Sequence, residues 1–135
     1  VVLAFLMPIV ASMGGNAGMQ TLAVTVRTIA TNDLTQNNFS SNVFKEFSIG
    51  ILNGIIFAAI SAFIVQIWFQ DSILSIIISI SMVLTMIIAG LFGILVPFTL
   101  KKMNIDPAIA SSVFVTTITD VIGFVSFLGV GAYFL

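Results

Sequence analysis

The chain has 135 residues, 59% of them hydrophobic and 7% charged, with a mean hydropathy of +1.25. Soluble domains carry about 25% charged and about 45–50% apolar residues, so this balance is that of an integral membrane domain. Cysteine and histidine are both absent, which excludes disulfides, thiol nucleophiles, His-ligated metals and any Ser–His or Cys–His catalytic pair, while a formal net charge of −1 gives no electrostatic footprint for nucleic acid or an anionic membrane surface.

Val1 already lies inside an apolar run, with no initiator Met or basic n-region. The start therefore reads as part of a longer chain and not as a signal peptide. A spanning helix needs about 20 mostly apolar residues to cross about 30 Å of hydrocarbon. Four segments qualify, and together they predict an all-α, polytopic transmembrane domain. The first covers residues 1–29. A polar link follows, "TNDLTQNNFSSN", whose Asn, Ser, Thr and Asp favour turns and caps. The second helix covers residues 43–69, with Lys45 and Glu46 at its mouth and Trp68 at the far interface, where aromatic belts sit. Gln70–Asp71 makes a very short turn. The third helix covers residues 72–100, bent or relaxed near Pro97. "KKMNIDPA" is the next link, with Pro107 placed as the first residue of a fourth helix, 107–134, capped by Asp106. Strands are excluded, because a lipid-embedded sheet must close into a barrel and these runs far exceed barrel strands.

Arg27, Lys45, Lys101 and Lys102 are the four basic residues. With four spans they fall on one side, and the positive-inside rule makes that side cytoplasmic and puts both termini outside. The expected location is the cell membrane, multi-pass, of the bacterial inner-membrane type.

The first helix carries polar residues on one face. Ser12, Asn16, Gln20, Ala23 and Arg27 recur at three- and four-residue spacing. Gly14 and Gly18 form a GxxxG pair on a neighbouring face, next to Gly15, and Gly50 and Gly54 form a second pair on helix two. Such glycines let helix backbones approach closely. Packing does not account for Asn16 and Gln20, whose amides each need several hydrogen-bond partners.

The fourth helix repeats the pattern in "SSVFVTTITDVIGF". Ser112, Thr116, Thr119, Asp120 and Gly123 share a face. Asp120 lies 13 residues beyond Pro107, about 20 Å into the helix at about 1.5 Å per residue, which is mid-membrane depth. A charge there costs about 2.5–3.5 kcal/mol on insertion scales, so such groups face a polar interior and mark an ion or substrate path. The structural alternative is an ion pair with Arg27, or a protonated Asp120 bonded to Asn16; Arg27 is a poor depth match. Carboxylate, hydroxyl, amide and carbonyl oxygens suit hard cations such as Mg2+, Ca2+ or Mn2+. One carboxylate per chain is thin for a divalent ion. A two-fold dimer brings two Asp120 side chains to a shared axis, and Mg2+ tolerates this because it keeps several waters.

Two long motifs, "PIVASMGGNAGMQTLAVTVRTIATND" and "KKMNIDPAIASSVFVTTITDVIGFVSFLG", closely resemble the membrane domain of the MgtE family of magnesium channels, and the resemblance covers essentially the whole chain. It implies a five-span domain of which the last four stand here. The first span and the cytoplasmic regulatory portion (an N-terminal domain and a pair of CBS domains) are expected before Val1. It further implies a Mg2+ channel, homodimeric in the lipid membrane, with the pore on the dimer axis between the first and last helices. Asp120, in the TT-x-TD element, inherits the role of facing the ion, with Thr116 beside it. Asp106, in the D-P-A element, inherits a place at the cytoplasmic mouth and a part in binding regulatory Mg2+. Asn16, Gln20, Ser112, Thr119 and Gly123 are expected to line the pore; the family often has Asn or Gly where Ser112 stands. Gly14, Gly15 and Gly18 are expected to pack helices.

Alternative readings keep the fold but carry Mn2+, Co2+ or Ca2+, or couple transport to Na+ or H+. A further one is a non-conducting assembly subunit whose polar stripes only join helices. An intramembrane enzyme is the weakest, because Asp120 has no second mid-membrane carboxylate in the chain.

Overall fold

The computed structural model describes residues 2–31 and 38–134, and these form four helices: α1 Val2–Ala30, α2 Phe39–Phe69, α3 Ser72–Lys102 and α4 Pro107–Phe134. Three of them are long and apolar enough to cross a membrane among the described residues, namely Phe39–Phe69, Ser72–Lys102 and the Ser112–Phe134 part of α4. α1 has a comparable length, 29 residues, and is the least hydrophobic of the four.

α3 is the central element. α1, α2 and α4 each pack along it, and α1 also packs along α4. The principal core draws on all four helices: Leu6 and Val10 of α1, Ala58 and Val65 of α2, Ile77, Ile78 and Met82 of α3, and Phe127 of α4. α2 turns a row of exposed apolar side chains outward, including Leu52, Ile56, Phe63 and Trp68, the surface expected of a helix facing lipid tails. Against α3 it presents glycine. A methyl group at Gly50 would sit 2.9 Å from the Ile87 Cα, and one at Gly54 2.9 Å from the Val83 Cα, so the two backbones meet without intervening side chains.

The short turn between α2 and α3 matches the sequence reading. Gln70 adopts a left-handed conformation (φ 51°), its N–H bonded to the Gln66 carbonyl. Asp71 then caps α3, with Oδ1 accepting from the Ile73 and Leu74 amides at 3.0 and 3.3 Å, which satisfies two of the open N–H groups of that helix end. Pro107 opens α4 as expected. Pro97 lies inside α3 and is buried.

The start of α2 departs from expectation. Helix begins at Phe39, four residues before residue 43, and the rest of the polar link, residues 32–37, lies outside the described residues. The cause is tertiary. The Phe39 ring stacks on Phe98 of α3 with centroids 4.1 Å apart and planes 13° apart, beside buried Ile29 and Ile94, and Lys102 Nζ sits 5.0 Å above the other ring of the pair, Phe98. An aromatic anchor of this kind holds the first turn in a helix that the polar residues Ser40, Ser41 and Asn42 alone would not favour. One consequence is that Lys45 and Glu46 are not at the mouth of α2. Glu46 is seven residues in, about 10 Å along the axis.

Candidate functional site

The seam between α1 and α4 is closed by small residues. A methyl group at Gly18 would meet the Val115 side chain at 2.9 Å and Thr119 at 3.2 Å; one at Gly123 would meet the Ala11 Cα at 3.0 Å. Gly14 faces α3, where its missing side chain leaves room for the Thr85 methyl, and Gly15 faces the Thr119 hydroxyl. Gly93 of α3 admits Thr21 and the Gly18 carbonyl in the same way. The packing role expected of Gly14 and Gly18 is thus expressed within one chain, between α1 and both α3 and α4.

Thr119 and Gly123, expected in the lining set, are buried in this seam. The Thr119 hydroxyl is satisfied locally, donating to the Thr116 carbonyl at 3.0 Å. The outer edge of the seam is different. Asn16, next to Gly15, is exposed, and so are Thr116 and Asp120, next to Thr119. The Thr116 hydroxyl reaches across to the Met19 sulfur at 3.9 Å. Asp120 forms no ion pair with Arg27 and no hydrogen bond with Asn16 among the described residues, so neither internal partner weighed from the sequence is engaged. Ser112, one turn before Thr116, is half-buried.

Gln20 is exposed but borders a second feature, a cleft between α1 and α2 floored by Met86 and Gly90 of α3. Asp106 is exposed at the end of the bundle, in a hollow with Val26, Ala30, Lys101 and Asn104. It is 14 residues from Asp120, about 20 Å along α4, so these two carboxylates belong to different sites. Arg27 in the last turn of α1 and Lys101 and Lys102 in the last turn of α3 stand at this same end.

Thr21, Glu46 and Asn53, all on the walls of the α1–α2 cleft, are not among the site residues expected from the sequence, although Thr21 lies within the first quoted motif. The helical spacing from Phe39 through Glu46 to Asn53, seven residues each, was the available signal.

Comparison with known proteins bears on the whole domain. A family model described as MgtE, divalent cation transporter, matches residues 7–130. Over 135 residues the chain is 33% identical to the magnesium transporter MgtE of Bacillus subtilis, covering 100% of this chain and 30% of that protein. Against the magnesium transporter MgtE of Enterococcus faecalis the identity is 30% over 134 residues, 99% of this chain and 30% of the other. Against that of Thermus thermophilus it is 32% over 133 residues, 98% and 29%. The chain thus spans about 30% of the length of the curated relatives it matches.

Proposed function

The chain belongs to the MgtE family, and from that premise we propose that it forms the conducting part of a Mg2+ channel, passing magnesium down its electrochemical gradient into the cytoplasm. The observation that carries this reading is the exposure of Asp120, together with Thr116 and Asn16, on the outer edge of a seam otherwise closed by glycine and methyl contacts. A carboxylate on a membrane helix needs a polar surrounding. Among the described residues no side chain bonds to Asp120, and a second copy completes its polar surrounding: two chains meet along the α1–α4 face and enclose a wet path on their two-fold axis.

Two Asp120 carboxylates across that axis repel each other, and a divalent cation between them relieves the repulsion. Mg2+ gives up its waters reluctantly. The carboxylates therefore act on the hydrated ion, with Thr116 and the Asn16 amides accepting and donating around its water shell. Buried Thr119 and Gly123 fix α4 against α1 and hold Asp120 at the axis. At the cytoplasmic end, Asp106 and the lysines at 101 and 102 form the mouth, where regulatory domains elsewhere in the full protein bind Mg2+ and close the path. The protein acts as a transporter and not as an enzyme.

A second reading, passage of another divalent ion by the same path, is favoured by the broader description of the family as divalent cation transporters. Mg2+ uptake by liposomes containing the protein tests both. The expected result is flux in the parent and its loss in Asp120→Asn, with competition by Mn2+ or Co2+ ranking the ions. Equal flux in parent and variant would overturn the assignment.

A further inference from the structure

We propose that the cleft between α1 and α2 is a second cation site, in which the Glu46 carboxylate and the oxygens of Thr21, Gln20 and Asn53 hold a hydrated divalent ion. The cleft follows from how the helices are carried. α1 and α2 both dock on α3 but not closely on each other, and glycine sets the depth of α2. A methyl at Gly90 would lie 3.2 Å from the Glu46 carbonyl, and Gly50 rests on Ile87. This close approach draws the second turn of α2 down onto α3 and leaves Glu46 half-buried about 10 Å inside the helix. It is the only acidic residue of α2.

What faces it is oxygen. The Thr21 hydroxyl donates to Glu46 Oε2 at 3.3 Å, a distance beyond the usual 2.5–3.0 Å of O–H···O bonds. It occupies one of about four lone-pair sites on the carboxylate. Gln20 and Asn53 line the same cleft, whose volume is about 270 Å3, room for several waters. A cation with a shell of six waters fits. Carboxylate, hydroxyl and amide oxygens select a hard ion. A single carboxylate does not strip its waters, so binding is outer-sphere and weak. The divalent charge matters, because it gains twice the attraction of a monovalent ion from Glu46. Lys45 lines the cleft too and is exposed; its ammonium opposes the cation and competes for Glu46. An ion seated here ties Thr21 to Glu46, and Thr21 stands on the helix whose other side carries Asn16.

The inference does not depend on conduction at Asp120, and the test separates the two. The full chain in lipid nanodiscs is titrated with Mn2+ as the paramagnetic probe, in an Asp120→Asn, Asp106→Asn background that removes the two carboxylates given a part in Mg2+ binding above, with folding followed by circular dichroism. We expect residual Mn2+ binding that Mg2+ displaces. Adding Glu46→Gln should weaken it at least tenfold, Thr21→Val should weaken it several-fold, and Lys45→Ala should tighten it several-fold. The opposite signs at neighbouring positions are the mark of a charged ligand, and Lys45→Ala changes an exposed residue. A doubly substituted protein that binds no Mn2+, or one whose binding neither Glu46→Gln nor Lys45→Ala alters, overturns the site. Mg2+ flux of the parent and its loss in Asp120→Asn are read separately and stand whichever way the cleft falls.

Discussion

The Thr119 hydroxyl donates to the Thr116 carbonyl at 3.0 Å, so the two threonines on either side of one helical turn have opposite tasks. Thr119 is fully buried against the glycines of α1, whereas Thr116 is exposed beside Met19. Thr119→Val keeps the shape and removes one neutral hydrogen bond, worth about 1 kcal/mol. We expect a small loss of thermal stability with Mg2+ flux retained, while Thr116→Val should leave stability unchanged and weaken ion binding. Reversed effects in a paired melting and flux experiment would place the path on the other edge of α4.

Asp120 is the sharper test. Asp120→Asn preserves volume and removes both charges at the proposed axis; Asp120→Glu keeps the charge and extends it by one methylene. Asn should abolish Mg2+ flux and Glu should retain part of it. Isothermal titration with Mg2+ on the folded, dimeric variants distinguishes loss of binding from loss of assembly.

The glycines make a graded series. Gly54→Ala forces a methyl toward the Val83 backbone, and overpacking of this kind costs about 1–3 kcal/mol. Gly18→Leu should be worse, separating α1 from α4 and lowering flux as well as stability. Gly129 has open space around it, so Gly129→Ala in the body of α4 should be neutral or stabilising by up to about 1 kcal/mol. Steric trapping or thermal denaturation in detergent orders the three.

Since the chain has no cysteine, single cysteines report topology against a clean background. Ser41 and Asn104 should be protected from an impermeant thiol reagent added to intact cells, and Gln70 should react. Labelling of a cysteine at position 104 from outside would invert the expected orientation.

The proposed two-fold assembly predicts contact between copies along the exposed edge of the seam. Cysteine at Asn16 should cross-link two chains under mild oxidation, and cysteine at Leu52, on the apolar outer face of α2, should not. Full Mg2+ flux from a demonstrably monomeric preparation would remove the shared path.

Much of the fold was legible because its signals are local. The Gln70–Asp71 break and Pro107 each determine structure within a few residues and appear where the pattern placed them, and the apolar runs give four helices, three of them apolar and long enough to span among the described residues. The start of α2 was not legible, because Phe39 becomes helical through a ring 59 residues away in sequence, Phe98. Nor could spacing alone divide the α4 stripe. Ser112, Thr116, Thr119, Asp120 and Gly123 do share one side of a helix, but which of its edges turns toward α1 depends on where α1 lies. The cleft around Glu46 needed still more, namely the separation of two helices that both lean on a third.

Only Gln70 and Asp71 separate the end of α2 from the start of α3, and this bears on how the protein is made. Two residues are too few to let one helix enter the bilayer and wait for the other. We expect the pair to insert as a hairpin, tip first, with whatever charge the tip bears. That charge is Asp71, already bonded to the Ile73 and Leu74 amides and lying against the positive end of the α3 dipole. The translocation machinery thus meets a carboxylate whose local partners are built into its own next turn, and the glycine faces of Gly50 and Gly54 allow the two arms to close before any other helix arrives.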